Sequence, residues 1–163
     1  MRQVLLACVL VIGACHPGGE YAGSARNGGE GNDRGEVNGR SFEFVSNKPE
    51  GDDWTIRIRD TSMSVGYGNE SKAEDLGTIK LDPKETEKVW KLIDALNIED
   101  RKEGKKDEDE GYVMLKMRTP GGDELHDQKT VYVSRATDDE EVIALAEYLQ
   151  SLIGKYRKEK PNF

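Results

Sequence analysis

Three apolar residues spaced two apart, Trp54, Ile56 and Ile58, alternate with Thr55, Arg57 and Arg59. A strand turns successive side chains to opposite faces, so this stretch predicts a sheet with one buried and one solvated face, and argues against a helix. Phe42 and Phe44 ahead of it, and Met63, Val65 and Tyr67 after it, keep the same period. Leu76 to Leu81 supplies a fourth, shorter strand. The joins are Asn47 to Asp53, Asp60-Thr61-Ser62, and a polar loop from Gly68 to Asp75, all with turn chemistry. Joins this short favour antiparallel neighbours.

At Asp82-Pro83-Lys84-Glu85 the period changes. The four residues offer an N-cap Asp, a Pro at the first helical position and a Glu at the third. Val89, Leu92, Ile93 and Leu96 follow at i, i+3, i+4 and i+7, one apolar stripe of a helix that fades at Asn97. After a charged loop from Arg101 to Glu110, strands are expected over Tyr112–Met117 and Thr130–Val133. A long loop through Thr119-Pro120-Gly121-Gly122 joins them. Thr137-Asp138-Asp139-Glu140 opens a second helix. Its one side carries Val142, Leu145, Ala146, Leu149, Leu152, Ile153 and Tyr156, and Lys155, Arg157 and Lys158 suit its C-terminal dipole. The expected fold is α+β, in the order βββ(β)αββα. Residues 40–163 would form one antiparallel sheet of five or six strands, with both amphipathic helices on one face.

The N-terminal part obeys other rules. Arg2 is followed by an apolar run from Val4 to Ala14, which at eleven residues falls short of the roughly 20 needed to span a bilayer. A charged start, a short apolar run and small residues at its end are the features of a secretory signal peptide. The run closes on Ile12-Gly13-Ala14-Cys15, which resembles the lipobox of bacterial lipoproteins, with Ile12 where that family more often has Leu. Leu5-Leu6-Ala7-Cys8 leaves almost no apolar run ahead of it and is rejected. The resemblance implies that residues 1–14 are removed and that Cys15 becomes the lipidated first residue. It also implies that the chain is held on the bilayer of a bacterial cell envelope. His16, rather than Asp, after the cysteine implies the outer membrane in a Gram-negative host. Several acyl chains anchor firmly because each buried CH₂ adds about 0.8 kcal/mol. Residues 15–39 then read as a tether. Residues 16–39 hold eight of the 18 glycines, with Tyr21 and Val37 the only large apolar residues. So polar a stretch cannot offset its ordering entropy and reaches about 25–30 Å as a flexible chain.

Charge narrows the partners. The full chain has 24 Lys and Arg against 32 Asp and Glu, a net charge of −8; removal of Arg2 leaves −9. An acidic chain argues against a nucleic-acid partner, which needs a basic face. Cys8 and Cys15 are the two cysteines, so the mature domain would have neither a disulfide nor a free thiol.

Motifs for catalysis are sparse. His126 stands in Gly121-Gly122-Asp123-Glu124-Leu125-His126-Asp127, where a histidine beside carboxylates offers a general base or a metal ligand. A hairpin loop rich in Gly and Asp more commonly holds a solvated histidine. No serine lies in a Gly-x-Ser-x-Gly elbow. Asp107-Glu108-Asp109-Glu110 fails as a calcium loop, because Tyr112 and Arg118 stand where Gly and Glu are needed. Neither a cofactor nor a metal is expected. Arg57 and Arg59 share the solvated face of one strand, and arginine is favoured in interfaces. The leading expectation is therefore a non-enzymatic envelope lipoprotein that binds a protein or another envelope component through its sheet face, where Arg57 and Arg59 are the candidate surface, or through its loops. The rivals are a hydrolase or metal-dependent enzyme using His126 with Asp123, Glu124 or Asp127, and an inhibitor of an envelope protease that inserts the 119–129 loop.

Overall fold

The computed structural model describes residues 39–49, 51–120 and 126–163. Cys15, the 1–14 segment, nearly all of the 15–39 tether, Asp123 and Glu124 lie outside the described residues. Six strands form one antiparallel sheet: β1 (Ser41–Asn47), β2 (Asp53–Arg59), β3 (Ser62–Asn69), β4 (Lys72–Lys80), β5 (Tyr112–Pro120) and β6 (His126–Ser134). Helix α1 (Pro83–Ala95) falls between β4 and β5, and α2 (Glu140–Arg157) follows β6. The strand order across the sheet is β4-β3-β2-β1-β5-β6. The α+β architecture expected from the sequence is therefore observed.

The alternation decides the two faces. Phe42, Phe44, Trp54, Ile56, Ile58, Met63, Val65, Ile79, Val113, Leu115, Met117 and Val131 are buried on one face. They join Val89, Trp90 and Ile93 of α1 and Val142, Leu145, Leu149, Leu152 and Ile153 of α2 in a single core. Burying an aliphatic or Phe side chain contributes about 1.5–3 kcal/mol, so this layer dominates stability.

Both helices start as their sequences specify. Asp82 accepts from the Glu85 N–H while Glu85 accepts from the Asp82 N–H, a complete capping box. Asp139 accepts from the Val142 N–H at the start of α2. The buried stripe of α1 is wider than the sequence spacing indicates, because it includes Trp90. The Trp90 indole N–H donates to the Asp60 carbonyl in the β2–β3 turn, at 3.0 Å, and the Arg40 guanidinium lies 5.1 Å from its ring centre.

Three of the later strands are longer than expected, and β5 runs on past Met117 to Pro120. β4 begins at Lys72, so most of the loop assigned to Gly68–Asp75 is a hairpin closed by Glu70 and Ser71. Its early residues are all exposed, and a bulge opposite Val65, with Gly77 at φ +80°, breaks the period before Leu76. β6 begins at His126, opposite Pro120, rather than at Thr130. The stretch 119–129 is thus mostly ladder, with Thr119 paired to Asp127 and Arg118 to Gln128. His126 is a strand terminus and not the middle of a long loop.

The charged segment after α1 closes a sheet edge. The Tyr132 N–H of β6 donates to the Glu103 carbonyl at 2.6 Å. Gly104 must be glycine there: its φ is +73°, and a Cβ would stand 2.1 Å from the Tyr132 carbonyl oxygen. The C-terminal residues return to the core, where the Phe163 ring lies 5.0 Å from Phe44.

Candidate functional site

The uncovered face of the sheet carries the outward members of each strand, and the register sets them in rows. Arg59 of β2 stands opposite Ser41 of β1 and Ser62 of β3, and Ser41 in turn opposite Arg118 of β5. In the next row Arg57 stands opposite Glu43 and Ser64, Glu43 opposite Lys116, and Ser64 opposite Thr78 of β4. Residues two apart on a strand are about 7 Å apart, and strands two places apart are about 10 Å apart. The backbone positions of four cationic residues thus mark the corners of a rectangle about 10 by 7 Å, with Glu43 and Ser41 along its midline.

These side chains line a concavity of about 580 Å³. Phe42 and Ile58 border it only through their backbone, since their side chains are buried on the opposite face. Arg57, Arg59 and Arg118 are exposed. Glu43 is held down: its Oε1 accepts from Arg57 Nε at 3.1 Å, and its Oε2 lies 3.8 Å from Lys116 Nζ. Arg118 Nε donates to Gln128 Oε1 at 3.1 Å, and neither Arg59 nor Arg118 forms an ion pair among the described residues. Four cations around one carboxylate make a locally positive concavity in a chain of net charge −8. Clefts lined by one sign of charge focus the field and raise the local concentration of counter-charged ligands.

The structure brings Arg57 and Arg59 together with Lys116, Arg118, Glu43 and four hydroxyl residues that the sequence reading did not connect to them. The signal for Lys116 and Arg118 was present: both alternate with Val113, Leu115 and Met117. What the sequence does not carry is that β1 separates β2 from β5, which sets the two basic pairs side by side.

Asp127 is exposed, near the tip of the β5–β6 hairpin and opposite Thr119. Of its suggested partners, Asp123, Glu124 and the side chain of His126 lie outside the described residues. Among the described residues no group of three or more His, Cys, Asp and Glu is placed to hold a metal ion. No described helix is long and apolar enough to cross a membrane.

Away from this face, three carboxylates with lowered pKa values secure the frame. Burial alone would push the Glu85 carboxyl up. Hydrogen bonds from Lys155 Nζ at 2.6 Å, from the Asp82 N–H and from the Tyr156 hydroxyl at 2.7 Å outweigh it and hold the group below the usual range. The Arg101 guanidinium lowers Asp139, so that one ion pair fixes the post-α1 segment to the N-terminus of α2. Asp107 is lowered by the Glu110 N–H and the Ser134 hydroxyl. The first residue of the acidic run is thus a turn cap. Lys106 lies over the rings of Tyr112 and Tyr132, 5.2 and 5.5 Å from their centres, which orders the same segment.

Compared with known proteins, the chain matches no protein-family model and no curated protein. The surface chemistry therefore carries the functional reading.

Proposed function

We propose that this protein is a lipid-anchored bacterial envelope lipoprotein acting as a non-enzymatic binding module, with the uncovered sheet face as its binding surface. The observation that carries the surface assignment is the concavity in which Arg57, Arg59, Lys116 and Arg118 surround Glu43. In a chain of net charge −8, four cations gather in one concave site and are framed by Ser and Thr hydroxyls. The anchoring half of the reading rests on Ile12-Gly13-Ala14-Cys15 and the glycine-rich stretch behind it.

Both halves are testable in the native membrane. Fractionation of cells expressing wild type and Cys15→Ala is expected to shift the protein from the membrane to a soluble fraction or to its unprocessed precursor. Unchanged membrane retention and processing would overturn the anchor. Mild crosslinking of the lipidated protein, followed by mass spectrometry, is expected to recover an envelope component in stoichiometric yield. That component should disappear in the Arg57→Glu/Arg59→Glu variant. A specific component that ignores this double reversal would place the binding surface elsewhere.

A further inference from the structure

The cations of the concavity fall into two pairs, Arg57 and Arg59 on β2 and Lys116 and Arg118 on β5, each a candidate anion seat. Arg57 and Arg59 point outward from β2, with Ser64 and Ser62 opposite them on β3. Lys116 and Arg118 stand on β5, with Ser41 of β1 opposite Arg118. About 10 Å, two strand spacings, separates the backbone positions that carry the two pairs. Between them lies the Glu43 carboxylate, fixed by Arg57 and Lys116. Each seat offers more donors than the two oxygens of a carboxylate can use, and so suits the three terminal oxygens of a phosphate monoester. Arginine also meets phosphate in a bidentate geometry. Between the seats the chemistry inverts: Glu43 accepts hydrogen bonds and repels anions, so the middle of the occupant must present donors without negative charge.

A peptide fits this face poorly. The sheet spends its backbone donors and acceptors in the ladder, so a strand laid across the face gains no main-chain pairing; extended peptides are captured at edges instead. The concavity also has no apolar side-chain pocket to hold an anchor residue, since Phe42 and Ile58 face the core. A ring of hydroxyls carrying phosphate at opposite ends meets all three requirements, and about 580 Å³ is room for one or two such rings. We propose that the open sheet face binds a saccharide bearing two phosphate groups, one at Arg57/Arg59 and one at Lys116/Arg118, with sugar hydroxyls donating to Glu43. This inference rests on the binding-face reading above and names its ligand class.

The test is calorimetric titration of the full-length protein in non-ionic detergent, with glucose 1,6-bisphosphate as probe. Inorganic phosphate and an alternating Glu-Ser octapeptide serve as comparators. The bisphosphate is expected to bind one to one, with both comparators weaker by about tenfold or more, the worth of one charge-assisted contact. Arg57→Glu/Arg59→Glu and Lys116→Glu/Arg118→Glu should each weaken it by at least about tenfold while the circular dichroism spectrum is unchanged. Glu43→Gln decides the sugar. Loss of affinity supports hydroxyl donation to Glu43, whereas a gain marks a bare polyanion and overturns the saccharide. The octapeptide binding more tightly than the bisphosphate would overturn it too, in favour of an acidic protein segment. If no probe binds, the saccharide falls. The binding-face reading then stands only if the crosslinked component is still lost on Arg57→Glu/Arg59→Glu, so the two failures are distinguishable.

Discussion

The two faces of the sheet are made from the same strands, residue by residue in alternation, yet they follow opposite physics. On the covered face Phe44, Ile56 and Leu115 are adjacent and wholly excluded from water. One position along, Glu43, Arg57 and Lys116 form a row of charges on the open face. The first set responds to volume, because close-packed interiors cannot absorb the loss of a few methylenes. The second responds to charge, which water and salt moderate. Stability and surface charge are therefore separable in this fold, although no strand belongs to only one face.

The largest expected effect comes from the covered face. Phe44→Ala should cost about 3–5 kcal/mol in chemical denaturation, since the ring touches both the core and Phe163. A cost below about 1 kcal/mol would mean that the core is less tightly packed than its burial indicates. Next is Glu85→Gln, at about 1–2 kcal/mol, because it removes the charge from hydrogen bonds that join α1 to α2. The folded-state pKa of Glu85 is depressed, so the unfolded chain takes up the proton at higher pH. The stabilisation is therefore complete above the ordinary carboxylate range, and it is lost as pH falls through the lower folded value. Denaturation midpoints measured from pH 7 to pH 3 should fall less steeply for Glu85→Gln than for wild type; parallel curves would remove Glu85 from the acid response. Smallest is Arg57→Ala/Arg59→Ala, expected within about 1 kcal/mol of wild type. A larger loss on that double change would tie the open face to stability and blur the contrast.

Much of this contrast is legible in the sequence. Trp54, Ile56 and Ile58 against Thr55, Arg57 and Arg59 give both faces of β2, and Asp82-Pro83-Lys84-Glu85 gives the start of α1 almost to the residue. What escaped had physical causes. The first half of β4 lies beyond the core, so Lys72, Ala73, Glu74 and Asp75 are all exposed and no alternation marks them. The outer end of β6 is likewise polar on both faces, which hides the pairing of Asp127 with Thr119. Trp90 adjoins Val89 in the chain, so a stripe drawn at i, i+3, i+4 and i+7 omits it, although it is buried beneath the β2–β3 turn. In the candidate site, Arg57 and Arg59 were visible as a local pair. Their juxtaposition with Lys116 and Arg118 depends on strand order, and local patterns do not encode strand order.

The way the sheet ends bears on how such domains behave in a crowd. An open sheet has two rims where unpaired amides invite another chain to add a strand. Here the Glu103 carbonyl takes the Tyr132 N–H on one rim. The other rim carries Lys72, Glu74 and Asp75 with a bulge at Gly77, and Arg157 donates to the Thr78 carbonyl. Both rims are thereby blunted against edge-to-edge growth. A second copy meeting either rim would find charged side chains, a bulge and carbonyl or amide groups already engaged, rather than a flat template for another strand.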